Sequence, residues 1–97
     1  MSTLAESILH SPQITIDQIS YAKELLKQAE SQNQQSGDSD QKAKLLKTYG
    51  IYYIKIGEFN KARQKLEASI ALYNALARFN KVQETAQILK NLDENFD

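Results

Sequence analysis

AKLLKTYGIYYIKIGEFNKARQKLEASIALYNAL, residues 43–76, decides how the rest of the chain is arranged. Its first half places Leu46, Tyr49, Tyr53 and Ile56 at helical spacing. Its second half places Phe59, Ala62, Leu66, Ile70 and Tyr73 at steps of three and four. Gly57 stands between the halves, and glycine most readily takes the left-handed conformation that ends a helix. Two helices joined by so short a break fold back on each other. Gly50 and Ala62 carry almost no side chain, so the two backbones can approach closely there.

Toward the N-terminus, Thr15 and Gln18 have the spacing of a capping box, and Asp17 adds negative charge to the first turn. Ile16, Ile19, Ala22, Leu26 and Ala29, broadened by Leu25, then predict an amphipathic helix from about 16 to 34. The segment QNQQSGDSD, residues 32–40, has no apolar residue and reads as a solvated connection, with Ser39 or Asp40 capping the next helix. Further upstream, Leu4, Ala5, Ile8 and Leu9 predict a short, weak helix over 2–10 that Pro12 terminates.

Beyond Leu76 no glycine marks a turn. Asn80 tolerates left-handed geometry and can cap, which places the break near 78–81. Val82, Ala86, Leu89, Leu92 and Phe96 then share a face and predict a closing helix over 81–96. No stretch alternates like a strand. The expectation is a single all-α domain over 1–97, four to five helices in an antiparallel hairpin array.

The run Leu46-x-x-Tyr49-Gly50-x-x-Tyr53, followed by Ala62-x-x-x-Leu66, resembles the tetratricopeptide repeat. It departs from that pattern at Leu46, where tryptophan is usual, at Tyr49, where leucine is usual, and at Leu66, where an aromatic is usual. The closing proline is absent. A shift of forty residues sets Ile19 on Phe59, Ala22 on Ala62, Leu26 on Leu66 and Ala29 on Ser69. That is about six residues beyond the usual 34, an excess that fits an insertion in the polar connection. The resemblance thus implies a central repeat over 41–77, a partial repeat over 1–34, a connection at 35–40 and a cap at 81–96.

In function, the resemblance implies a non-catalytic protein-interaction module, an adaptor or scaffold that holds a partner peptide or helix in a groove lined by first helices. The groove positions would be Lys44, Lys47, Ile51, Ile54 and Lys55. Ile51 and Ile54 also lie off the stripe of Leu46, Tyr49, Tyr53 and Ile56, so they form a second face bracketed by lysines. Such a face suits a partner with apolar anchors and acidic flanks, unless the N-terminal helix or a second copy of the chain covers it. Family members that clamp a C-terminal carboxylate carry asparagine where Ile51 stands, so that mode is not implied. The alternative is structural, a homo-oligomer whose assembly is itself the function.

Little in the chain suggests chemistry. There is no cysteine, and the single histidine, His10, precedes a proline turn. Gly37, Gly50 and Gly57 are isolated and make no phosphate loop, and the pairs Asp38/Asp40 and Asp93/Glu94 lack the further oxygens a calcium ion needs. Hence no enzyme, metal or cofactor is expected. The formal net charge is zero, and 41% hydrophobic with 25% charged residues is an ordinary folded composition. No apolar run is long enough to span a membrane and no leader is recognisable, which favours the cytoplasm.

Between Gln41 and Lys65 seven basic residues stand against the single acid Glu58. The bland reading is a solvated face. With Tyr49, Tyr52, Tyr53 and Tyr73 nearby, a stacking platform for single-stranded nucleic acid is conceivable. Three of the four fall at packing positions, leaving Tyr52 as the exposed one, so nucleic acid is disfavoured.

Overall fold

In the computed structural model, which describes residues 16–95, four helices follow one another with turns of two or three residues. They are α1 (Ile16–Ser36), α2 (Ser39–Lys55), α3 (Phe59–Ala75) and α4 (Phe79–Asn95), and no strand occurs among the described residues. The fold is all-α, an array of antiparallel hairpins. Its extents of 34 × 33 × 19 Å give a slab two helices thick, since a helix with side chains is about 10 Å across. The expected helix over 2–10, Thr15 of the capping box and Phe96 lie outside the described residues.

The hairpin of α2 and α3 is the most extensive interface. Gly50 is buried against Leu66, and a Cβ at that position would lie 2.7 Å from the Leu66 Cγ and Cδ2 atoms and 3.4 Å from the Ala62 carbonyl. Ala62 and Leu66 are fully buried. One turn further on, the Ser69 hydroxyl donates to the Ala43 carbonyl across the same interface at 2.7 Å. That bond satisfies a polar group which would otherwise be costly inside the slab.

Two turns have identical construction. After α2, Gly57 has φ +81°, its N–H donates to the Ile54 carbonyl, and the Glu58 N–H donates to Tyr53. After α3, Ala77 has φ +58°, its N–H donates to Asn74, and the Arg78 N–H donates to Tyr73. Both are Schellman ends, and both lead into Phe-Asn-Lys at the start of the next helix. The break therefore falls at Ala77 and α4 starts at Phe79, earlier than Asn80 suggests. An alanine in this conformation is strained where glycine is not.

The polar connection is also shorter than its composition implies. Helix α1 runs to Ser36, so only Gly37 and Asp38 separate it from α2. Gln and Ser do not break a helix, and the first true breaker is Gly37, with φ +70°. Asp38 is the cap, in place of Ser39 or Asp40: its carboxylate accepts from the Gln41 N–H at 3.1 Å.

The core lies on both sides of α2. Ala22, Leu25 and Leu26 of α1 pack with Leu45, Ile51 and Tyr52, while Ala62 and Leu66 of α3 pack with Leu92 of α4. Ile88 of α4 reaches both clusters. On α4 the fully buried inward residue is Thr85, whose hydroxyl returns to the Lys81 carbonyl, and Ala86 faces out, contrary to the stripe expected there.

Candidate functional site

Of the residues expected to line a groove on α2, Lys47 and Ile51 are buried, Lys44 and Ile54 half-buried and Lys55 exposed. Ile51 is 5% exposed and packs in the cluster with α1, and Ile54 is half-buried against the cluster of α3 and α4. Lys47 is 9% exposed, with its ammonium 3.7 Å from Glu84 of α4. Lys44 is half-buried and its carbonyl accepts the Thr48 hydroxyl, whereas Lys55, at the end of the helix, is exposed. The expectation that Ile51 and Ile54 stand apart from internal packing is thus corrected. A helix flanked by three others has no single packing stripe, and α4 closes the side that a bare hairpin would leave open.

The opposite face of α2 is the open one. Leu46 is half-buried and Ile56 exposed, while Tyr49 and Tyr53 pack against the core, as their spacing predicts, and remain half-buried. Tyr52, expected to be exposed, is 6% exposed and belongs to the core. Over the open face lie two clefts with α1 on one side and α3 on the other. One, of about 480 Å³, includes Asn33, Lys42, Leu46 and Lys65 in its lining. The other, of about 320 Å³, includes Lys23, Lys27, Tyr53 and Lys61. Glu30 and Tyr49 line both, so the two clefts adjoin at one point.

That point is a hydrogen bond. The Tyr49 hydroxyl donates to a Glu30 carboxylate oxygen at 2.7 Å, tying α1 to α2. Burial, followed by this bond and the Glu30 charge, holds the Tyr49 hydroxyl well above the ordinary tyrosine pKa. Burial likewise raises Tyr52, with Tyr53 adding to the effect. The rings of Tyr49 and Tyr53 are offset-stacked with centroids 6.2 Å apart. Lys65 sits 5.6 Å from the Tyr49 centroid and Lys61 5.8 Å from that of Tyr53, both at cation–π distance.

The basic excess of this region therefore divides. Lys47 and Arg63 pair with Glu84 and Asp93 of α4 and help to dock that helix. Lys42, Lys61 and Lys65, joined by Lys23 and Lys27 from α1, surround the clefts. The helical periodicity shows which tyrosines share a face, but only the positions of α1 and α4 show which face remains open.

Three of the four carboxylates singled out from the sequence have structural partners: Asp38 caps α2, Asp40 pairs with Arg78 through two nitrogens, and Asp93 pairs with Arg63. The Asp40 bond and charge raise the Arg78 pKa. Among the described residues no group of three or more His, Asp or Glu side chains is placed to hold a metal ion, and no helix is long and apolar enough to cross a membrane. His10 lies outside the described residues. No family model, no curated protein and no solved structure matches the chain.

Proposed function

We propose that the chain is a non-catalytic protein-interaction module, a tetratricopeptide-like hairpin array that receives a segment of another protein over the open face of α2. The observation that carries this reading is the pair of adjoining clefts over α2 that share Glu30 and Tyr49. It has an aromatic floor on one helix and polar walls on two others, a composition that suits a peptide or a partner helix. The repeat reading is supported by equivalent burial: Ala22 and Leu26 of α1 are as fully buried as Ala62 and Leu66 of α3, the residues forty positions on. Both helices flank α2, as second helices of successive repeats would.

The alternative, self-association as the function, has less support. The outward residues of α4, Gln83, Ala86, Gln87, Lys90 and Asn91, are exposed and mostly polar. On α1 the exposed Glu24 and Gln28 are polar too, while Ile16 and Tyr21 of α1 and Phe79 of α4 are exposed apolar side chains. An array that stacks end to end needs apolar ends.

Selection of an unbiased display library of 16-residue peptides against the full chain tests the proposal. Enriched peptides are expected to bind the wild type and to lose at least tenfold in affinity on K61E/K65E, with the variant still melting cooperatively. An unenriched library, or peptides indifferent to the variant, would refute a docking role for this groove.

A further inference from the structure

Resting on that reading, we infer that the groove takes an acidic segment, and that Glu30 occupies inside the protein the place of a partner's carboxylate. Lysines dominate the groove: Lys23 and Lys27 on the α1 wall, Lys61 and Lys65 on the α3 wall, and Lys42 at one end. The acids are Glu30 and Glu58. Among the described residues Lys23, Lys27 and Lys42 have no carboxylate partner, and Lys61 and Lys65 face aromatic rings rather than acids. A positive groove in a chain of zero net charge is local, so it selects by complementarity at contact rather than by long-range attraction.

Glu30 indicates where the negative charge belongs. Its carboxylate sits where the clefts join and accepts the Tyr49 hydroxyl, a side-chain hydrogen bond that ties α1 to α2. An incoming aspartate or glutamate that takes over the Tyr49 hydroxyl displaces Glu30, opens the junction and lets the segment run through both clefts. Apolar side chains beside it meet Leu46, Tyr53 and Ile56 on the floor. The same geometry favours a peptide over nucleic acid. Glu30 and Glu58 repel a continuous phosphate backbone, and the faces of Tyr49 and Tyr53 are engaged with each other and with lysines.

The test uses the peptides enriched from the unbiased library and the full chain. Their sequences are expected to carry aspartate or glutamate near apolar residues, and replacing those acids with the corresponding amides should weaken binding at least tenfold. E30Q, a conservative change at an exposed position, should bind the acidic peptide about fivefold more tightly, since a competing like charge is removed. Equal binding of the amide peptide, or weaker binding by E30Q, overturns the inference while leaving a docking groove in place. Absence of any enriched peptide removes both. A twelve-residue thymidine oligonucleotide that binds more tightly than the peptides, and is lost on K61E/K65E, would also overturn it.

Discussion

Gly50→Ala is expected to destabilise the protein, although alanine is the better helix former. The new methyl would lie 2.7 Å from two Leu66 carbons, about 1 Å inside the ~3.5–4.0 Å optimum for carbon contacts. Relief is not available from a loose chain end, because the nearest atoms include Cγ, the branch point of a fully buried leucine. Overpacking of this kind costs about 1–3 kcal/mol, and the upper half applies where backbones must part. The propensity gain returns about 1 kcal/mol. The net loss is then about 1–2 kcal/mol, or roughly 5–15 °C in melting temperature for a domain of this size. Urea unfolding followed by circular dichroism measures it. In a Leu66→Ala background the obstruction is gone, and the same Gly50→Ala change should become neutral or stabilising by up to about 1 kcal/mol. A Gly50→Ala protein as stable as wild type, or equal effects in the two backgrounds, would refute the close approach of α2 and α3.

Ile51→Asp should lose the cooperative melt rather than partner binding alone, because an unpaired carboxylate would be buried among Leu25, Leu26 and Tyr52; a folded variant with a near-normal melt would place Ile51 at the surface. Ala77→Gly should raise stability by about 1 kcal/mol by relieving a left-handed alanine, read from the urea midpoint, and a decrease would mean that the strain is not there. Tyr49 has a raised pKa in the folded protein, so it stays protonated where the unfolded chain ionises, and its contribution is complete below pH about 10 and declines above it. Tyr49→Phe should therefore flatten the loss of stability between about pH 10 and 11.5 measured by urea titration; an unchanged slope would count against the bond to Glu30. Light scattering should give a monomer at all accessible concentrations, and a concentration-dependent mass would favour assembly as the function.

The helices and the glycine turn were legible because their signals are local. Gly57 must take positive φ, and the spacing of Ala62, Leu66 and Tyr73 identifies the face that α3 buries. Ala77 was not legible, since nothing in its chemistry marks a left-handed position; only the shared Phe-Asn-Lys that follows it and Gly57 offered a hint. That α2 also buries the face of Ile51 was not legible, for a physical reason. Tyrosines and isoleucines occur on both faces, and periodicity cannot say which of them α1 and α4 will cover. The position of Ile88, touching both clusters, settles it. Glu30 was invisible as a site residue because its partner Tyr49 lies nineteen positions away on another helix.

The most direct measurement is amide chemical-shift mapping of an enriched acidic peptide titrated into the isotope-labelled full chain. A groove over the open face of α2 requires the largest perturbations at Glu30, Tyr49, Tyr53 and Lys65, with Lys44 and Lys55 nearly silent. Perturbations centred on Lys44, Lys47 and Lys55, with Tyr49 and Lys65 unmoved, would put the partner on the face that α4 covers and contradict the proposal.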